Sequence, residues 1–131
     1  VNKLNTNKEI QSIGIGFPGA VNTLTGEIKS AVNLGFDNLD LKSFFNDKLN
    51  IDSYMLNDAN AAAYGEYKTR NDVDSMLFLT LGTGLGGGIV LNKELYFGKN
   101  FSAGEVGHIP IESDERRICG CGNTNCIETF V

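Results

Sequence analysis

The chain has 131 residues, of which 41% are hydrophobic and 21% charged, with a formal net charge of −5; this is the balance of a soluble globular protein able to bury a core. No basic run is present that would neutralise a line of phosphates, which excludes a nucleic-acid surface on this segment. No apolar stretch approaches membrane-spanning length and no secretory signal pattern opens the chain, so a cytoplasmic protein without a membrane partner is expected.

Taken in order, the residues predict an alternating α/β chain. Gln11 to Phe17 alternates Ile13, Ile15 and Phe17 with small residues, the pattern of a buried strand, and Pro18-Gly19 ends it. Asn22 to Gly26 is turn chemistry leading into a short strand around Glu27 to Ala31. Asp40 stands as N-cap before a helix whose apolar positions 41, 44, 45 and 49 form one stripe. Asp52 to Leu56 reads as a brief strand, and Ala59 to Thr69 as an alanine-rich helix with Asp58 as its cap. Ser75 to Leu81 and Gly86 to Leu91 are two β-rich runs joined by glycines. The polar stretch Lys68 to Asp74 lies before that pair and reads as a hinge between two units, residues 1–72 and 73–131. Ile127 to Phe130 reads as the start of an apolar helix. With Val1 in place of an initiator methionine, the chain reads as a segment of a longer one.

Three stretches carry chemistry. The single histidine, His108, and all three cysteines, Cys119, Cys121 and Cys126, fall within residues 108–126. Three thiolates and one imidazole are a complete tetrahedral set for a structural Zn²⁺. An odd number of cysteines in a chain without a secretory signal argues against a disulfide framework. The second stretch, Gly82-Thr83-Gly84-Leu85-Gly86-Gly87-Gly88, contains G-x-G-x-x-G, but Ile89-Val90-Leu91 follows where a dinucleotide loop would enter a helix. It predicts a strand–turn–strand hairpin with a bare tip, which can cradle phosphate on its amides or simply be a glycine-rich turn. In the third, Asn57-Asp58, the carboxylate stands at the end of a strand, where ligands of α/β sheets bind; the competing reading is a plain helix cap. Glu105 and Glu128 flank the cysteine and histidine ligands in sequence, and carboxylates brought together by a metal suit the hydroxyls of a sugar.

Five blocks in order, Gly16-Phe17-Pro18-Gly19, Asn57-Asp58-Ala59-Asn60-Ala61-Ala62, Leu81 to Gly88, Gly104-Glu105-Val106-Gly107-His108 and Cys119 to Glu128, resemble the ROK family of bacterial sugar kinases and sugar-responsive repressors. The resemblance covers nearly the whole chain and is unspecific for the sugar. It implies an actin-like ATPase (ribonuclease H-like) fold, with this chain spanning parts of both lobes. It also implies an ATP- and Mg²⁺-dependent hexose kinase, homodimeric at full length. Asp58 corresponds to the catalytic base, and Asn57, Asp58, Glu105, His108 and Glu128 to sugar ligands, with Gly19, Ser30 and Asn33 beside them by analogy. Gly82, Thr83, Gly84, Gly86 and Gly87 correspond to the second phosphate loop, and His108, Cys119, Cys121 and Cys126 to the zinc ligands. The alternative within the family is the effector-sensing domain of a repressor. One departure stands out: the Asp-x-Gly-x-Thr loop that opens the family's kinases has no match, so these residues by themselves are expected to hold only part of a nucleotide site.

Overall fold

The computed structural model describes residues 10–31 and 36–131. The chain divides into two compact units between Asn57 and Asp58. The sequence reading put the division at the polar stretch after Lys68. The physical reason for the difference is helix α2 (Asp58–Thr69), which packs on the strands that follow it and so belongs with the second unit.

In the first unit, β1 (Ser12–Phe17) pairs in parallel with β5 (Asp52–Asn57). Between them in sequence come β2 (Ala20–Asn22), β3 (Glu27–Ala31) and β4 (Phe36–Asp40), an antiparallel sheet in chain order, and helix α1 (Leu41–Leu49). The turn from β2 to β3 is closed by the Asn22 side chain, which accepts from the N–H groups of Leu24 and Thr25. Phe17, Val21, Ile28 and Met55 form the core of this unit, with Ile15 and Leu41 against it. Asp40 caps α1 as its sequence predicts: Oδ1 accepts from the Ser43 N–H at 2.9 Å and Oδ2 from the Ser43 hydroxyl at 2.7 Å. These bonds favour the ionised carboxylate and hold the Asp40 pKa below its ordinary value, the backbone bond contributing most. Asn50 ends the helix in the left-handed conformation, φ 50°, with its N–H on the Asn46 carbonyl.

In the second unit, α2 covers one face of an antiparallel sheet of β6 (Met76–Leu81), β7 (Leu85–Leu91) and β8 (Glu94–Leu95), in that spatial order. The short two-residue connection from β7 to β8 has positive φ at both Asn92 and Lys93, the type I′ geometry that matches strand twist. β7 owes its glycines to close packing. Ala59 and Ala63 of α2 are buried against it, and a methyl group on Gly88 would run into the Ala63 side chain. On the opposite side, a methyl on Gly87 would stand 2.8 Å from Val106 Cγ2. Helix α2 begins at Asp58 itself, one residue earlier than predicted, and the Asp58 Oδ1 accepts from the Ala59 N–H at 2.9 Å. Residues 127–130 form a 3₁₀ turn, where the sequence suggested the start of an apolar α-helix. Its Thr129 donates both N–H and hydroxyl to the Cys126 carbonyl, closing the chain into a tight turn.

Candidate functional site

Two segments meet on the second unit. The first, Gly104 to His108, ends in a 3₁₀ turn, Val106–His108. Gly104 and Gly107 fit there because any side chain would strike the carbonyls of Gly87 and Leu85 on β7. The second is a knuckle. The Cys119 N–H donates to the Asn123 carbonyl and the Asn125 N–H to the Arg117 carbonyl, and Gly122, at φ 90°, turns the chain between them. The returning strand also pairs with residues 109–111, through Ile111 N–H on the Asn125 carbonyl and Ile127 N–H on the Ile109 carbonyl. That double pairing carries Cys126 and Glu128 back to His108.

The ligand atoms of His108, Cys119, Cys121 and Cys126 lie within 4.8 Å of one another. Zinc bonds of about 2.3 Å to sulfur and about 2.05 Å to nitrogen, set tetrahedrally, require S···S edges of about 3.8 Å and S···N edges of about 3.6 Å. Cys121 Sγ and Cys126 Sγ are 3.7 Å apart, and Cys119 Sγ and His108 Nδ1 are 3.6 Å apart. The donor chemistry and these two edges fit Zn²⁺. Such an ion would join the His108 turn to the cysteine knuckle and supply structural cross-linking. The Cys119 thiol donates a hydrogen bond to Glu128 Oε1 at 2.8 Å. The Cys121 N–H lowers the Cys119 pKa, but the bond to Glu128, burial and the neighbouring thiols outweigh it and push the pKa up to about 12.

The carboxylates gather around the same imidazole. Glu128 Oε1 lies 3.5 Å from His108 Nδ1, and Glu105 Oε2 lies 3.8 Å from Nε2. Glu128 also reaches the glycine hairpin: a methyl on Gly84 would stand 2.7 Å from its Oε2. The hairpin is strand–turn–strand as predicted, closed by Gly82 N–H on the Gly84 carbonyl. Gly82 and Thr83 are exposed at its tip, while Gly86 and Gly87 stand within the ladder, opposite Thr80 and Leu79. Asp58 is exposed at the head of α2, and no hydrogen bond or ion pair joins it to the carboxylate–imidazole group among the described residues. In the first unit, the Asn57 amide donates to the Gly19 carbonyl at 3.2 Å, so those two predicted ligands are joined. Gly19 has φ 117°, which only glycine adopts readily. The Ser30 side chain and Asn33 lie outside the described residues. Sequence reasoning passed over Arg117, which grips the knuckle, because nothing in its local pattern names a partner twelve residues away.

These elements have the α/β arrangement of the actin-like ATPase fold. A ROK family glucokinase from Streptomyces griseus, solved in complex with glucose and AMPPNP, matches with a TM-score of 0.84 at 35% identity, over 95% of this chain and 40% of that one. The ROK family profile matches residues 1–131, and the chain belongs to the ROK family. The glucokinase of Halalkalibacterium halodurans is 42% identical over 123 residues, 92% of this chain and 37% of that protein. The xylose repressor of Caldicellulosiruptor bescii is 39% identical over 127 residues, 95% of this chain and 32% of that protein. The chain thus spans about a third of the length of the curated relatives it matches. Among the described residues, no helix is long and apolar enough to cross a membrane.

Proposed function

We propose that this chain carries the sugar site, the catalytic base and one phosphate loop of an ATP-dependent hexose kinase. The observation that carries this reading is the position of Glu128, whose carboxylate accepts from the Cys119 thiol, lies 3.5 Å from His108 Nδ1 and stands where a methyl on Gly84 would be 2.7 Å away. It supports a hydroxyl acceptor fixed beside a turn whose bare backbone can hold phosphate. Glu105 and Glu128 accept hydrogen bonds from sugar hydroxyls, and the family resemblance adds Asn57, His108, Gly19, Ser30 and Asn33 as further sugar contacts. Asp58 takes the proton of the attacking hydroxyl as that oxygen bonds to the γ-phosphorus and ADP leaves. The Gly82-Thr83-Gly84 turn, with Gly86 and Gly87 in the strand behind it, would align the phosphates, and bound Mg²⁺ would offset their charge. A zinc ion held by His108, Cys119, Cys121 and Cys126 would be structural, because four protein ligands would leave it no open position.

The xylose repressor similarity favours a second reading, in which the same pocket senses a sugar effector. One experiment separates the two. The protein at its natural full length is incubated with Mg-ATP and each of D-glucose, D-fructose and D-xylose, and ADP and sugar phosphate are quantified. Under the kinase reading, Asp58→Asn lowers kcat by about two to four orders of magnitude while sugar affinity changes far less. Sugar binding without phosphoryl transfer in the parent protein would establish the sensor instead. Near-normal turnover in the variant would leave Asp58 as a helix-initiating residue only.

A further inference from the structure

We propose that Arg117 is the positioning residue for Glu128, the clamp that fixes this carboxylate where a sugar hydroxyl can meet it. The inference rests on the sugar-site reading of Glu128 given above. Glu128 sits in the middle of a four-residue 3₁₀ turn, Ile127–Phe130. A turn this short has little hydrogen bonding of its own, so the direction of its side chains depends on what holds its two ends. The leading end is held twice, by Cys126 in the metal-ligand group and by Ile127 N–H on the Ile109 carbonyl. The trailing end is held by Arg117. Its Nη1 donates to the Thr129 carbonyl at 2.6 Å, and its guanidinium carbon lies 4.4 Å from the centre of the Phe130 ring.

Arg117 is itself held for this task. Its Nε and Nη2 donate to Glu115 Oε2 at 2.8 and 2.6 Å. Its backbone N–H donates to Asn125 Oδ1 at 2.9 Å, and its carbonyl accepts from the Asn125 N–H at 2.8 Å. An exposed Arg–Glu pair by itself contributes little to stability. Here it has a different effect: it orients the plane of the guanidinium, leaving Nη1 for the carbonyl and one face for the ring. Lysine has neither the fork nor the plane to make all three contacts together. The residues directly after Glu128 are therefore tied to a side chain that, among the described residues, makes no hydrogen bond or ion pair with the metal ligands or with the Glu128 carboxylate. Removing the clamp frees the trailing end while leaving the cysteine and histidine donors in place.

The test is a double-mutant cycle in the protein at natural full length, using R117M, E128Q and the pair together. Zinc content and sugar affinity are measured on the same samples, the latter by calorimetric titration with D-glucose, D-fructose and D-xylose, comparing the tightest of the three. R117M is expected to weaken sugar binding about tenfold, with zinc unchanged at one equivalent. In the E128Q background the same change is expected to alter affinity less than twofold, because a clamp acting only through Glu128 has nothing further to lose. A general structural role would instead give additive losses, and that result overturns the proposal. So does an R117M protein that binds sugar like the parent while E128Q does not, and so does loss of zinc from R117M. An E128Q protein that binds sugar like the parent, or no binding of any of the three sugars by the parent, removes the sugar-site reading and the clamp with it.

Discussion

Gly88→Ala should destabilise the protein, although alanine is the better strand residue. Replacing glycine by alanine inside a strand would by itself gain about 0.5–1 kcal/mol, since glycine loses more conformational freedom on folding. At this position the new methyl group would collide with Ala63 and stand 3.0 Å from the Ala59 carbonyl and 3.2 Å from Asn60 Cα. None of these is the loose end of a side chain, so helix α2 must move off the sheet. Overpacking of that kind costs about 1–3 kcal/mol, which leaves a net loss of about 0–2.5 kcal/mol, centred slightly above 1. Gly82→Ala is the matched control, because a methyl there meets nothing within 4 Å; its stability should stay within about 0.5 kcal/mol of the parent. Urea unfolding followed by circular dichroism measures both. The two variants should also divide by function, with Gly82→Ala the one that weakens Mg-ATP use, since it alters the hairpin tip. A Gly88→Ala protein as stable as the parent would show that α2 does not pack on β7 at the distance described. If Gly82→Ala lost more stability than Gly88→Ala, the tip would be carrying the packing and the reasoning would be refuted.

Two further outcomes are expected. Asp40→Ala should lower stability by about 1 kcal/mol at pH 7, the usual effect of losing an N-cap; because the folded-state pKa of Asp40 is lowered, the cap's contribution is present above the ordinary aspartate range and fades as pH falls through the lowered value, so urea midpoints of parent and variant should converge as pH falls below the ordinary aspartate range. Protein purified without chelator should carry one equivalent of zinc by elemental analysis, and its removal should loosen residues 117–130 in hydrogen exchange; since the metal must displace protons from Cys119 and its neighbouring thiols, zinc should be held less tightly as pH falls.

Much of the site could be read from the residues because its chemistry is local or compositional. Cys119, Cys121, Cys126 and His108 come together in the structure as their clustering implied, since a glycine-rich knuckle of that spacing has few ways to fold. The cap at Asp40 and the strand–turn–strand character of residues 76–91 were likewise legible, each resting on side chains and backbone a few residues apart. Strands β2 and β4 were not predicted: three residues are too few to show a period, and Phe36–Asp40 alternates only weakly. The packing role of two β7 glycines also lay beyond the sequence. The structure shows Gly88 facing Ala63 and Gly87 facing Val106, a close approach that only the tertiary packing defines. The same packing moved the unit boundary to Asn57 and Asp58, because α2 packs on the sheet that follows it. Arg117 completes the contrast. Its hold on Thr129 and Phe130 joins residues distant in sequence, and no periodicity or spacing records such a contact; only the folded chain, by bringing the two strands of the knuckle side by side, decides it.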